Sequence, residues 1–398
     1  MSATTTAGAA AITTSIGIHD IAFATGSYRI DLAELAARHG VEANKYYIGL
    51  GQSEMSVLAN DEDVVTMAAT AAQRILDRGD ARPIRTLIFA TETGIDQSKA
   101  AGVYVHRLLG LGSDVRVVEV KQACYSATAA LQFATALVAR SPEEAVLVVA
   151  SDVARYEIDS NAEATQGAGA VAMLVTADPA ILEIEPVSGL FTEDVMDFWR
   201  PNHRSTAVVD GKLSIDAYIN ATTGAWADLA SRGGPAFESI ERFCYHQPFT
   251  RMAVKAHRKL AASVAELGND EADVQLDGTF DYNRRIGNSY TASIYLALAA
   301  LLDTDDDLAG KRLGFLSYGS GAVSEFFTGI VSAGYREHVR ADENRALLDG
   351  RTPIGDEQYL ALQRFTPADV SNYETTRETP GRFRFGGVDG DKRVYEVV

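Results

Sequence analysis

Cysteine is scarce in this sequence, with two residues among 398. Two cysteines exclude a disulfide framework and a four-cysteine zinc site, so nothing requires an oxidising compartment. No apolar run reaches the roughly 18 residues of a membrane span. The first 14 residues contain no Lys or Arg and no long apolar core, which makes them a poor signal peptide and predicts a frayed tail. These absences favour a cytoplasmic protein without a membrane partner.

Positive charge is also in short supply, because 36 Lys and Arg residues face 54 Asp and Glu residues, for a formal net charge of −18. Nucleic-acid binding needs a basic surface, so the composition argues against that function. The glycine motif GSG at 319–321 lacks the third glycine and trailing acid of a dinucleotide site, and no P-loop pattern occurs. No paired-histidine metal motif is present.

A chain of this length that is 46% hydrophobic can bury a sizeable core. Short β-rich apolar runs alternate with helical patterns, which predicts a mainly parallel α/β architecture. The runs are unbroken and bounded by polar or small residues, as in strands buried on both faces. The predicted strands are Ile84–Ala90, Val115–Val120, Ala145–Ala150, Arg242–Tyr245 and Arg312–Leu316. The predicted helices are Val64–Leu76, Ser98–Leu109, Ser126–Val138 and Thr291–Leu302.

The regular alternation stops near Pro186, before an irregular aromatic stretch, FTEDVMDFWRPNH. We place the midpoint of the chain there. Near the C-terminus, RFRFGGVDGDKRVYEV predicts a β-hairpin around a glycine-rich turn.

Reactive side chains follow the predicted strands. In chain order they are Glu92, Cys124, Asp152, His246 and the pair Ser317 and Ser320. Ligands of open α/β sheets bind at the carboxyl ends of strands. The sequence therefore predicts a functional site at that edge.

Cys124 stands where a strand meets a helix, in KQACYSATAAL. The helix dipole and free backbone N–H groups favour the thiolate there, which is the nucleophilic form. The alternative is a small buried hydrophobe, which is what we expect of Cys244. A cysteine acting on a thioester needs an acid or base nearby. His246 in YHQPF and Glu92 in ATETG are candidates because each ends an apolar run, although either alone is as readily a structural residue.

The segment RMAVKAHRKL, residues 251 to 260, is basic in an acidic protein. Arg251, Lys255 and Lys259 are spaced four residues apart, so on a helix they form one stripe. Such a stripe could bind a polyphosphate such as that of coenzyme A. The alternative is a solvated helix face.

The sequence resembles the 3-hydroxy-3-methylglutaryl-CoA synthase family of the thiolase superfamily, over roughly residues 17 to 327. The resemblance rests on nine stretches in the family's order: ATETGID, KQACYSATAAL, ASDVARY, ATQGAGAVAML, DVMDFWRP, VDGKLS, YHQPFTRM, GNSYTAS and SYGSGAVSEFF. After about Leu347 no motif of the family is matched.

The resemblance implies a thiolase fold, in which two similar α/β halves pack as a five-layer sandwich, here residues 15–185 and 186–398. It implies a homodimer that condenses acetyl-CoA with acetoacetyl-CoA, without metal or redox cofactor. By the same resemblance, Cys124 is the acylated nucleophile, Glu92 the general acid/base and His246 the residue that polarises the acetoacetyl group. The substrate-binding positions it implies are Asn161, Thr165, Ser214, Arg251, Lys255, Asn288 and Ser320; the family more often has lysine at 251.

Three rival functions stay open. A ketoacyl synthase also uses Cys, His and Asn, but decarboxylative condensation needs no base such as Glu92. A synthase acting on a carrier-protein-bound β-ketothioester, in polyketide β-branching, has nearly identical chemistry. The stretches EATQGAGAVAM and DVMDFWRP look more like the free coenzyme A branch. A non-catalytic thiolase-like scaffold is expected to have lost Cys, Glu or His, and all three are here.

Overall fold

The computed structural model describes residues 15–80, 82–304 and 306–398. The predicted N-terminal tail, residues 1–14, lies outside these ranges. Within them, no helix combines the length and apolarity that crossing a bilayer requires.

The helices and strands of the described residues follow in chain order. The strands are β1 Ile16–Thr25, β2 Tyr28–Asp31, β3 Glu54–Val57, β4 Ile84–Ala90, β5 Arg116–Val120, β6 Ala145–Ala154, β7 Gly167–Ala177, β8 Leu182–Ile184, β9 Gly189–Thr192, β10 Phe198–Trp199, β11 Val208–Val209, β12 Arg242–Tyr245, β13 Arg312–Gly319, β14 Val323–Val331, β15 Thr352–Pro353, β16 Tyr373–Glu374, β17 Phe383–Asp389 and β18 Lys392–Val397. The α-helices are α1 Leu32–Arg38, α2 Asn44–Tyr47, α3 Val64–Leu76, α4 Ala101–Leu108, α5 Ser126–Arg140, α6 Gly211–Ser231, α7 Thr250–Val264, α8 Asn269–Val274, α9 Asp281–Ile286, α10 Ser293–Leu302, α11 Ala341–Asp349 and α12 Asp356–Arg364.

The predicted elements are all present, and β4, β12 and α3 have the predicted bounds. Helix α3 begins where the sequence indicates because the Asp63 carboxylate accepts hydrogen bonds from the backbone N–H groups of Val65 and Thr66. Helix α4 starts three residues later than predicted. The Asp96 side chain bonds the backbone N–H groups of residues 98 and 99 and holds that segment in a turn.

The main sheet has ten strands, nine of them in the order β12-β13-β14-β8-β1-β7-β6-β4-β5, with β9 paired to β14. The predicted strands pair in parallel at its two ends, β12 with β13, and β4 with both β5 and β6. The centre is antiparallel, because β1, β7, β8 and β14 join there. The expectation of a mainly parallel sheet is therefore wrong, and the strands that sequence analysis missed are the antiparallel ones.

Strand β5 is an edge strand of the main sheet. The prediction that it is buried on both faces is wrong. Its residues are exposed or half-buried, and Val118 is 43% exposed. The other four predicted strands are mostly buried. An edge strand of valines on a protein surface is a feature that folded proteins usually cover.

The core forms layers on both sides of the sheet. Helices α3 and α4 pack on one face of the β1, β4, β6 and β7 strands. Helices α5 and α10 share a second core with the opposite face of these strands and with β13 and β14. Helices α6 and α7 pack on the outer face of β12–β14. This gives the five-layer order of a thiolase fold.

The C-terminal hairpin is confirmed as β17 and β18, which turn at Gly390 and Asp391. Its apolar side chains Phe383, Phe385 and Tyr395 join the core formed by α3 and α4. The end of the chain therefore packs on the N-terminal part of the molecule. The predicted division into residues 15–185 and 186–398 stays a prediction.

Arg340 connects the C-terminal region to β1. Its guanidinium pairs with Asp20 at 2.7 Å, with both side chains almost fully buried, and donates to the carbonyl of Ile21 at 3.2 Å. Removing one partner of a buried pair leaves the other charge uncompensated. We expect Arg340→Ala to lower the free energy of unfolding by about 3 kcal/mol, because the buried Asp20 carboxylate is left with the half-buried Arg78 and the backbone N–H of Ile21. Urea unfolding measures this change.

The matched control is Arg345→Ala in α11. Arg345 pairs with Asp342 in a largely exposed contact, and such pairs contribute little. An equal loss of stability in the two variants would contradict the importance given to the buried pair.

Candidate active site

The carboxyl ends of the strands bring the predicted reactive residues to one region. Glu92 follows β4 and Cys124 follows β5 by a short loop, while His246 follows β12 directly. Asp152 and Ser317 lie within β6 and β13 rather than after them, because both strands run further than predicted.

The loop before α5 presents Cys124 through a strained backbone. Ala123 has a φ of 42°, a left-handed conformation that costs a residue with a Cβ atom free energy and that clusters at functional sites. Gly319 lies against this loop, since a Cβ there would come within 2.5 Å of the carbonyl oxygen of Gln122. The close approach brings Ser320 beside the cysteine loop, where the Gln122 side chain donates to the Ser320 carbonyl at 3.2 Å.

Cys124 and Glu92 are in contact. The Cys124 Sγ atom is 3.8 Å from Glu92 Oε2, within range of a weak S–H hydrogen bond. Cys124 is 6% exposed, whereas Glu92 keeps intermediate exposure. Part of the Glu92 residue therefore keeps contact with solvent, while its carboxyl group lies against the buried sulfur.

The thiolate expectation for the resting cysteine is wrong in direction. Burial raises the pKa of the Cys124 thiol well above its usual value, and the negative charges of Glu92 and Asp152 raise it further. Burial also raises the pKa of Glu92, Asp152 adds to this, and Arg200 opposes it. A helix N-terminus stabilises a thiolate by about 0.3–1 kcal/mol. Full burial favours the neutral thiol and shifts a pKa by up to about 3–5 units. Burial therefore has the larger effect on the ionisation of Cys124.

Asp152 organises the residues around Glu92. It is fully buried, and its Oδ1 atom accepts hydrogen bonds from the backbone N–H groups of Glu92 and Thr93, both at 2.9 Å. The Thr91 hydroxyl donates to the same oxygen at 2.7 Å. Its other oxygen accepts from the backbone N–H of Thr291 at 3.1 Å. One carboxylate thus joins the ends of β4 and β6 to the segment before α10.

We expect Asp152→Asn to change both stability and pH dependence. The new amide N–H₂ group faces donors, so we expect a loss of about 1–3 kcal/mol in unfolding free energy. Removal of the negative charge lowers the pKa of Glu92, which Asp152 raises. Activity that needs ionised Glu92 should then persist to lower pH. Thermal unfolding measures the change in stability, and the pH profile of kcat/KM measures the change in pH dependence. If the acid limb of that profile moved to higher pH, Asp152 would not be the residue that raises the pKa of Glu92.

His246 is buried and held from two sides. Its Nδ1 atom lies 2.6 Å from the Ser293 hydroxyl, and its carbonyl accepts from the Tyr218 hydroxyl at 2.6 Å. Burial lowers its pKa to about 3. The imidazole is therefore neutral at physiological pH. The Nδ1 contact fixes the orientation of the ring, and the other ring nitrogen can form one hydrogen bond with a substrate.

A cavity of about 450 Å³, the apolar cavity, ends at Cys124 and His246. The structure brings seven of the ten predicted site residues to its wall: Cys124, Asn161, Thr165, Ser214, His246, Asn288 and Ser320. Its apolar wall includes Tyr156, Phe198, Tyr218, Met252 and Tyr290. An apolar cavity of this size with a few polar groups in its wall is typical of a site for a small molecule or cofactor.

Sequence analysis missed the aromatic residues of this wall. Tyr290 has a φ of 45°, and its backbone N–H donates to the Asn288 side chain at 2.9 Å. Tyr156 and Phe198 pack edge to face, as do Phe198 and Tyr290. All three lie within stretches quoted for the resemblance, ASDVARY, DVMDFWRP and GNSYTAS, which was the available signal.

Arg251 and Lys255 lie outside the apolar cavity. They belong to α7, Thr250–Val264, which contains the whole of the basic segment 251–260. The Lys255 ammonium lies 5.9 Å from the centre of the Phe249 ring, which lines the cavity. Arg251 donates from Nε to the Ile48 carbonyl at 3.0 Å. Lys255 is thus exposed near the cavity, while Arg251 is partly engaged by a neighbouring loop.

The loop that carries Asn161 and Thr165 is fixed by a buried carboxylate. Glu163 is fully buried and accepts from the Tyr359 hydroxyl of α12 at 2.8 Å. His39, Asp159 and Glu163 bring three possible metal-ligand atoms within 4.8 Å of one another. The Arg38 guanidinium pairs with both carboxylates, so a cation of the protein already neutralises this cluster.

Glu92 lines a different cavity of about 550 Å³, the polar cavity. Its wall carries charged and amide side chains, including Lys121, Arg155, Arg200, Asp96 and Glu119. Phe198, Tyr290 and Ser320 line both cavities. The Cys124–Glu92 contact therefore lies between an apolar and a polar cavity.

Layers of this order, with a cysteine, a carboxylate and a neutral histidine at the strand ends, define a condensing enzyme of the thiolase fold. Residues 12–180 match the family model described as hydroxymethylglutaryl-coenzyme A synthase N terminal, and residues 182–262 and 254–368 match the C-terminal one. The chain belongs to the hydroxymethylglutaryl-CoA synthase family. The family models match the chain up to residue 368, whereas the resemblance based on motifs covers roughly residues 17 to 327.

Individual relatives agree with this assignment. The chain is 40% identical over 382 residues to a hydroxymethylglutaryl-CoA synthase of Enterococcus faecalis, covering 96% of this chain and 99% of the relative. It is 34% identical over 370 residues to the polyketide biosynthesis 3-hydroxy-3-methylglutaryl-ACP synthase PksG of Bacillus subtilis, covering 87% and 88%. A crystal structure of HMG-CoA synthase complexed with CoA superposes with a TM-score of 0.92 at 36% identity, covering 96% of this chain and all of the other.

Proposed function

We propose that this enzyme condenses acetyl-CoA with acetoacetyl-CoA and water to give 3-hydroxy-3-methylglutaryl-CoA and CoA. The observation that carries the proposal is the contact of Cys124 Sγ with Glu92 Oε2 at 3.8 Å at the end of an apolar cavity that also holds His246. This reaction belongs to the mevalonate route to isoprenoids, and we propose a cytoplasmic location for it.

The residues divide the chemistry between them. The Cys124 sulfur attacks the acetyl carbonyl carbon, and CoA leaves with the electron pair of the broken carbon–sulfur bond. The proton of the Cys124 thiol ends on the departing CoA sulfur. Glu92 takes a proton from the acetyl methyl group. The carbon so formed attacks the ketone of acetoacetyl-CoA, and the neutral His246 stabilises the developing alkoxide by a hydrogen bond. Water then releases the product from Cys124. No step needs a metal or redox cofactor, so EDTA-treated enzyme should keep its rate.

The polar side chains in the wall of the apolar cavity support this assignment. We propose that Asn161, Thr165, Ser214, Asn288 and Ser320 contact the acyl chain and its pantetheine arm. We propose that Lys255 and Arg251 attract the phosphates of coenzyme A, since both are cations on α7 in a protein of net charge −18. Lys255 has the freer side chain of the two, so Lys255→Ala should raise KM more than Arg251→Ala.

The test is acetyl-CoA-dependent loss of acetoacetyl-CoA, with purified protein and no carrier protein. Rapid turnover supports the proposal. Acetylation of Cys124 without turnover would instead favour an acceptor bound to an acyl carrier protein, as the name of the Bacillus relative suggests for that enzyme. Absence of acetylation would overturn both functions.

We propose that the enzyme is a homodimer formed through the exposed edge of β5. Among the described residues, β5 pairs with β4 alone, and Val118 is exposed beside that free edge. A second copy could extend the sheet across a twofold axis. Light scattering should give twice the mass of 42.7 kDa, and Val118→Lys should weaken the dimer.

A further inference from the structure

We propose that the polar cavity is the route by which water reaches the acyl group on Cys124 and the site where the new product carboxylate forms. This rests on the proposed function. The apolar cavity and the polar cavity are separate, yet they share Phe198, Tyr290 and Ser320 as walls. The reacting sulfur and Glu92 lie at this partition, 3.8 Å apart.

The first argument concerns space. A cavity of about 450 Å³ is the size of sites that bury most of a ligand's surface. While the acceptor thioester fills the apolar cavity, its chain closes that route to solvent. Hydrolysis of the acyl–Cys124 bond nevertheless needs a water molecule. The polar cavity of about 550 Å³ is the other large space at this partition in the described part of the chain.

The second argument concerns exposure. Cys124 and His246 are 6% and 2% exposed. Glu92 retains intermediate exposure and lines the polar cavity. Glu92 therefore contacts the sulfur through its carboxyl group and also forms part of the wall of the polar cavity. A base in this position can pass a proton between the reaction and water.

The third argument concerns charge. Arg200 lines the polar cavity and donates from its guanidinium to the Glu92 carbonyl oxygen at 2.8 Å. Lys121, Arg155 and Arg204 lie in the same wall. With Arg200 these four cations outnumber the three carboxylates of the wall, which are Glu92, Asp96 and Glu119. In the hydrolytic step the water oxygen bonds to the acyl carbon, the carbon–sulfur bond breaks, and its electron pair goes to sulfur. One water proton ends on sulfur, and the new carboxyl group loses the other. Cations beside the forming carboxylate favour this step.

The experiment narrows the polar cavity without touching the reacting groups. Gly94 lines it, and an added Cβ would meet only Glu119 Oε1, at 3.9 Å. We expect Gly94→Leu to slow turnover at least tenfold, to accumulate the 3-hydroxy-3-methylglutaryl adduct of Cys124 in intact-mass spectra, and to leave the acetylation rate within twofold of wild type. Gly94→Ala is the matched control and should turn over normally.

Asn202→Trp narrows the cavity from another wall and should give the same adduct, with Asn202→Ala as its control. In contrast, Ser214→Trp in the apolar cavity should slow acetylation itself. Normal turnover by both Gly94→Leu and Asn202→Trp would overturn the assignment of the polar cavity as the water route. An equal fall in the rates of acetylation and of product release would overturn it too. Wild-type protein that is never acetylated would instead refute the proposed function, so the two failures are distinguishable.

Discussion

Cys124→Ala should show no acetyl adduct after incubation with acetyl-CoA, and its turnover should fall by at least about 10⁴-fold. The physical reason is that the described site offers no second nucleophile in contact with Glu92, whose Oε2 atom lies 3.8 Å from Cys124 Sγ. Intact-mass spectrometry measures the adduct, and loss of acetoacetyl-CoA measures turnover. The folded state should persist, because the substitution removes a single sulfur atom.

The chain supplies its own control in the second cysteine. Cys244 is fully buried inside β12 and lines neither the apolar nor the polar cavity, so an acyl group has no access to it. Cys244→Ala should be acetylated at one site and should keep its activity. Equal loss of acetylation in the two variants, or an adduct on Cys124→Ala, would contradict the assignment of the nucleophile.

Local signals were sufficient to predict much of this fold. Helix α3 has its predicted bounds because Asp63 caps it, and β4 is a run of buried residues between polar ones. Strand β7, in contrast, reads GAGAVAMLVTA. Glycine and alanine give it a weak β signal, and it forms through antiparallel pairing with both β1 and β6. The pairing with β1 joins segments far apart in sequence, which no local pattern predicts.

The candidate site shows the same division. Motifs predicted which residues gather at the strand ends, and seven of the ten line one cavity. They did not predict the partition between two cavities, because its walls come from three separate segments that contain Phe198, Tyr290 and Ser320. Nor did they predict the raised pKa of Cys124, which depends on burial and on Glu92 and Asp152. Burial is a property of the whole fold, whereas the helix dipole can be anticipated from sequence.

Glu92→Gln should separate acetylation from condensation. The amide cannot remove a proton from the acetyl methyl group, so we expect condensation to fall by about 10³-fold, within the usual range for a general base. Acetylation should persist, because the negative charge of Glu92 raises the pKa of Cys124. Removal of this charge lowers that pKa, so alkylation of Cys124 by iodoacetamide should begin at lower pH than in wild type. Mass spectra of quenched samples measure acetylation, and the absorbance of the acetoacetyl thioester measures condensation.

The control is Glu119→Gln, which changes a second carboxylate in the wall of the polar cavity. Glu119 accepts a hydrogen bond from the backbone N–H of Ala101 at 2.7 Å, and the amide oxygen of Gln can accept the same bond. Its acetylation and condensation rates should therefore stay near wild type. Condensation by Glu92→Gln near the wild-type rate would refute the role of Glu92 as base. A loss of acetylation as large as the loss of condensation would show that Glu92 acts first on the cysteine, and the order of proton transfers proposed above would then be wrong.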